Sequence, residues 1–137
     1  MPQTRFHSSC SLFLLFNHQF TPEQDADARA SLGVNRVVKL PEDLQAIWAA
    51  IPPDAADIAP YLAPIKAWLA HEAQPDDYAL IQGDFGATYL MVRFAFEHGL
   101  RPVYATSQRQ AEEIHQPDGS ITLVHHFRHR RFRLYGR

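Results

Sequence analysis

Cysteine is almost missing from this chain: Cys10 is the single one among 137 residues. One thiol can form no internal disulfide and no paired-cysteine zinc site, which points to a reducing, intracellular setting such as the cytoplasm. Lysine is scarce as well, with Lys39 and Lys66 against eleven arginines. Long apolar runs are absent. The longest covers residues 10–16 (CSLFLLF) and is far too short to span a membrane. Arg5 and His7 before it imitate the charged start of a signal peptide. However, the run stops at Asn17-His18-Gln19 with no small-residue cleavage site, so a buried strand is the simpler reading. No internal repeat, low-complexity tract, Walker loop or serine-hydrolase elbow is present.

What remains is the composition of one globular domain, with 46% hydrophobic and 20% charged residues. The formal net charge of -2 hides a gradient. Residues 1–92 carry five Lys/Arg and eleven Asp/Glu, a balance of -6, whereas residues 93–137 carry eight Arg and four acids, a balance of +4. An arginine-rich end on an acidic chain suggests a local anion site, or a solvated basic edge, rather than a surface that coats duplex DNA.

Residues 1–9 read as a flexible tail and residues 10–137 as a single α/β domain. The apolar run at 10–16 is expected to be a strand buried on both faces. Thr21-Pro22-Glu23-Gln24 opens a helix with a capping box, and Gly33 ends it. Residues 36–40 form a second strand and 41–50 a helix. Residues 54–72 read as a further helix, with Pro60 and Pro64 as possible breaks. Residues 78–82 form a third strand, followed by a tight 83–88 connection into an apolar helix. Residues 102–105 form a fourth strand. This alternation predicts a Rossmann-like, mostly parallel sheet with helices on its faces. Residues 109–115 and 120–127 flank Gln116-Pro117-Asp118-Gly119 and read as a C-terminal hairpin, to which a last piece at 131–135 pairs.

In such a sheet, ligands bind beyond the carboxyl ends of the strands. Three polar clusters fall there: Asn17-His18-Gln19, residues 82–89 (QGDFGATY), and Thr106-Ser107-Gln108-Arg109. Gly83 and Gly86 would let backbone approach a ligand, and the helix that follows would offer N–H groups to a phosphate. The alternative is a plain strand–helix turn with Asp84 as N-cap. His18 suits proton transfer, or else caps a loop. Thr106 and Ser107 would donate to phosphate, and Arg109 would neutralise it. His125-His126-Phe127-Arg128-His129 tempts a metal reading. Adjacent strand residues point to opposite faces, and Arg130, Arg131 and Arg133 make the surroundings cationic. No metal or other cofactor is therefore expected. Cys10 begins a buried strand, where thiols are usually inert.

Taken in order, LFLLFNHQFTPEQ, VVKLPEDLQAIW, YALIQGDFGATYLMVRFAFEHGLRPVYATSQR and HFRHRRFRLY resemble a small stand-alone Csx family of type III CRISPR accessory proteins. The resemblance implies a CARF-like domain, a homodimer, and recognition of cyclic oligoadenylate. It further implies a ring nuclease that linearises cyclic tetra-adenylate without metal. In that reaction a ribose 2′-hydroxyl attacks the adjacent phosphorus and leaves a 2′,3′-cyclic phosphate. Carried over residue by residue, it makes His18 the proton-transfer residue and Arg109 the phosphate stabiliser. Asn17, Gln82, Gly83, Asp84, Phe85, Gly86, Thr88, Thr106 and Ser107 become ligand-facing, with Arg130, Arg131 and Arg133 as a basic tail. Two other readings stay open. One is a non-catalytic protein that sequesters the same ring. The other is a small nucleotide-binding or interaction module.

Overall fold

The computed structural model describes residues 9–137, so the reading of residues 1–9 as a tail lies, Ser9 apart, outside the described residues. Five strands form one sheet in the order β2-β1-β3-β4-β5. They are β1 (Ser11–Phe16), β2 (Arg36–Lys39), β3 (Tyr78–Gln82), β4 (Arg101–His115) and β5 (Ile121–Leu134). The first four run parallel, and β5 runs antiparallel to β4. The α/β, broadly Rossmann-like reading therefore holds.

β1 and β3 sit at the centre and have no wet face. Phe13, Leu15, Ala79 and Ile81 point into one core, while Leu12, Leu14, Phe16, Tyr78 and Leu80 point into the other. This explains the unbroken apolar run in β1, since a strand covered on both sides cannot alternate. The first core is closed by α2 (Glu42–Ala49), α3 (Ala59–Glu72) and α4 (Phe85–Glu97). The second is closed by the connection from β1 to β2. There α1 (Pro22–Asp27) continues as a wider π-turn, Ala28–Leu32, that buries Ala28. Thr21 caps α1 with the expected reciprocal bonds to Gln24, and Gly33 ends the turn at φ 72°.

Several boundaries move from their expected places. Cys10 stands just outside β1. The helix expected from residue 54 starts at Ala59, with Pro60 in its first turn, where a missing N–H costs nothing. Pro64 lies inside α3 on its exposed side, and the helix continues past it. The 83–88 connection is shorter than expected, because α4 already begins at Phe85. The largest change is at the C-terminal end. The separate pieces expected at 102–105 and 109–115 are one strand, and those at 120–127 and 131–135 are another. Thr106 and Ser107, expected beyond the end of the fourth strand, lie within β4, because the antiparallel ladder carries it straight through with a bulge.

Gly83 shows why the turn after β3 is built as it is. A Cβ on Gly83 would stand 2.9 Å from the ring of Trp48, whose Nε1–H donates to the Gln82 carbonyl at 3.1 Å. Trp48 is itself buried, so it cannot retreat. Gly83→Ala is expected to lower unfolding free energy by about 1–3 kcal/mol through overpacking. Urea denaturation against wild type measures it.

Candidate functional site

The order in which strands are added to the sheet reverses between β1 and β3, although both run the same way. From β1 the chain leaves to α1 on one face, and from β3 to α4 on the other. Sheets of this order open a crevice at that switch point, beyond the carboxyl ends of the strands. Here the crevice is a cleft of about 670 Å³. Its walls come from the end of β1 (Phe16, His18, Gln19), the start of α1 (Thr21 to Gln24), Gln82, Ala105 to Ser107 on β4, and Phe127 to His129 on β5. The volume falls in the range that holds a drug-sized ligand, about 300–1,000 Å³.

Each polar wall residue has a definite posture. His18 is exposed, and its ring meets Phe16 edge-on at 5.4 Å between centroids. Gln82 is half-buried, and its Oε1 accepts the Ala105 N–H at 2.7 Å. That bond extends the β3–β4 ladder past its last backbone pair, so Gln82 can offer a ligand its Nε2 donors. The Thr106 hydroxyl is spent within the hairpin, donating to the Arg131 carbonyl at 3.1 Å and accepting from its N–H at 3.2 Å. Ser107 lies exposed beside it. Arg128 stands 3.9 Å from Glu23, with both side chains largely exposed. Such a pair is worth little and is easily exchanged for another anion.

His129 and Asp27 were not singled out as a pair by sequence reasoning, being 102 positions apart. His129 Nε2 donates to Asp27 Oδ2 at 2.6 Å, and only 6% of the His129 side chain is exposed. A bulge makes this contact possible. Between the pairs Thr106↔Arg131 and Ser107↔His129, Arg130 has no partner across the ladder. The extra residue shifts the alternation of β5 by one. His129 thereby turns to the same side as Phe132, against whose ring it packs at 4.8 Å. Burial works to raise the Asp27 carboxyl. Hydrogen bonds from Ser31 and His129, with the charges of His129 and Arg131, outweigh it and hold the carboxyl below its ordinary value of 3.8. His129 Nδ1 is buried without a partner, a cost of about 1–3 kcal/mol.

The other residues expected at the site lie elsewhere. Asn17 turns to a smaller hollow of about 320 Å³ beside Lys39, where it accepts from Gln45 at 3.2 Å. His18 forms the wall between that hollow and the cleft. Asp84 caps α4 by accepting the Ala87 N–H at 3.0 Å, so this helix end is closed by its own carboxylate. Gly83 packs on Trp48, and Gly86 sits against Ile58. Phe85 and Thr88 belong to a separate apolar hollow on α4. Arg109 projects from the hairpin opposite Phe127, beyond the cleft lining. Arg131 and Arg133 share a face by register, and Arg133 donates to the Tyr104 hydroxyl at 2.8 Å. As expected of adjacent strand residues, His126 lies on the face opposite His125, where it bonds Glu112. No helix among the described residues is long and apolar enough to cross a membrane.

Because the Asp27 carboxyl is held low, its tie to His129 stabilises the fold fully above the ordinary value of 3.8 and is lost as pH falls through the lower folded value. Asp27→Asn is expected to cost on the order of 1–3 kcal/mol near neutral pH. The two proteins should converge in stability at strongly acid pH. Denaturation of both across pH 2–7 would show this; a gap that persists unchanged in acid contradicts it.

Comparison with known proteins covers all of these walls. No solved structure matches the chain. The protein described as "Uncharacterized protein MJ1673", from Methanocaldococcus jannaschii, is 51% identical over 124 residues, spanning 90% of this chain and 95% of the relative. Residues 10–133 match the family model described as "Uncharacterized protein MJ1673 family", and the chain belongs to that family.

Proposed function

We propose that this chain is a CARF-like accessory protein of type III CRISPR defence that binds cyclic tetra-adenylate at the switch-point cleft and linearises it without a metal. The observation that carries the reading is the convergence of His18, Gln82, Ser107 and Arg128 around one cleft. The set combines a proton carrier, two neutral donors and a cation. The 71%-exposed Phe127 adds an apolar surface on which adenine can stack.

The chemistry asks little of the protein beyond orientation, because the nucleophile belongs to the ligand. The ribose 2′-oxygen attacks phosphorus and gives up its proton as the 5′-oxygen leaves and gains one. The products are a 2′,3′-cyclic phosphate and a free 5′-hydroxyl on one linear chain. His18 moves the proton. Arg128, released from Glu23, and the Gln82 Nε2 donors stabilise the charge that builds on the phosphoryl oxygens. The His129–Asp27 pair acts through position, by holding the root of the hairpin against α1. Arg109 meets the ring at the cleft mouth, two pairs farther out on the hairpin than Ser107–His129. A ring of four nucleotides exceeds one cleft, and a two-fold homodimer presents two of them to its halves.

The test is turnover of excess cyclic tetra-adenylate in EDTA, followed by chromatography. Wild type should convert all of it to linear products ending in a cyclic phosphate. His18→Ala should retain binding and lose about 10²–10⁴-fold in rate. Stoichiometric retention of intact ring would instead establish a sequestering protein, and no binding at all would contradict the reading.

A further inference from the structure

Two exposed apolar surfaces of this chain are left uncovered by its own fold. The first is on the hairpin. β4 pairs with β3 only through Val103, so from Ser107 to the turn β4 and β5 pair with nothing but each other. A two-stranded ribbon alone is marginal in water. By register, Ile121, Leu123 and Phe127 share one face of this arm, with Glu113 directly opposite Leu123. They are 53%, 55% and 71% exposed.

The second surface is on α4. Phe85, Tyr89, Val92 and Phe96 follow helical spacing and line a hollow of about 620 Å³. Phe85 is 95% and Tyr89 60% exposed. The Arg93 guanidinium lies 5.7 Å from the Tyr89 ring centroid and that of Arg137 4.8 Å from the Phe96 ring, so cations border the hollow. In its wall the Thr88 hydroxyl oxygen is buried without a partner.

From this we infer that the hairpin arm of one copy lies across α4 of a second copy, and that two copies exchange arms about a two-fold axis. The surfaces match in apolar character and each carries charges of both signs, Glu113 with Arg109 on the face of the arm and Arg93 and Arg137 with Glu97 beside the hollow. They cannot meet within one chain. Phe127 starts the arm's apolar face on the α1 side of the sheet, whereas α4 lies on the other side. Reciprocal exchange makes each contact twice, covering Ile121 and Leu123 on the arm and the hollow on α4 while Phe127 stays at the cleft, and closes the assembly at two copies. This inference deepens the two-copy arrangement proposed above. It rests on the surfaces alone, and no nucleotide is needed to test it.

Sedimentation without ligand should find a dimer, and Leu123→Glu, at an exposed position outside the cleft, should weaken it by about tenfold or more with the fold intact by circular dichroism. In a Cys10→Ser background, Leu123→Cys chains mixed with Tyr89→Cys chains should form a disulfide between unlike chains on mild oxidation. A monomer at all concentrations, an open-ended polymer, or cross-linking only between two Leu123→Cys chains would overturn the inference.

Discussion

β1 and β3 must be covered on both faces, and most of the architecture follows from that. Ten of their eleven residues are buried, Gln82 being the half-exposed last one. Apolar side chains on both faces require helices on both faces, so the connection from β1 must leave on one side and that from β3 on the other. The divergence opens a gap at the carboxyl ends, where Asn17 to Gln19 and Gln82 emerge. The cleft is therefore a by-product of how the core is closed. Its volume is set by where α1 enters, which the Thr21–Gln24 capping box holds.

A second constraint sits at the root of the hairpin. Phe132 must face the α1 core to be buried, and a regular strand would then turn His129 away from it. Arg130 resolves this as the unpaired residue of a bulge, which the Thr106 hydroxyl bonds across. One inserted residue thus re-aims His129 at Asp27 and brings Phe127 and Arg128 to the cleft wall. The same hydroxyl, spent on the bulge, has no proton left to donate to a ligand.

The parallel sheet, the capping box, the Gly33 stop and the turn at residues 116–119 were legible because each rests on local chemistry. Part of the site was legible for a related reason: His18 follows β1 and Gln82 ends β3, and strand ends converge in this topology; Ser107, inside β4, joins them because that strand runs on past β3. The rest required tertiary information. QGDFGATY reads equally as a phosphate cradle or as a capped turn, and only the position of Trp48 shows what Gly83 packs against. The Asp27–His129 pair has no sequence signal, because a bulge in a ladder read as broken decides it. The hairpin looks interrupted in sequence at Thr106-Ser107 and at residues 128–130. Polar residues there look like loop, whereas in an exposed ribbon they are ordinary strand.

By the function proposed above, the switch-point cleft, rather than the turn after β3 or the hollow on α4, receives the ligand. The most direct measurement is an amide chemical-shift map of isotope-labelled protein during titration with cyclic tetra-adenylate in EDTA, using His18→Ala if turnover interferes. The account predicts the largest changes at residues 16–24, Gln82, residues 105–107 and 127–129. Changes centred on Asp84 to Phe96 with these positions unmoved, or no changes at all, would contradict it.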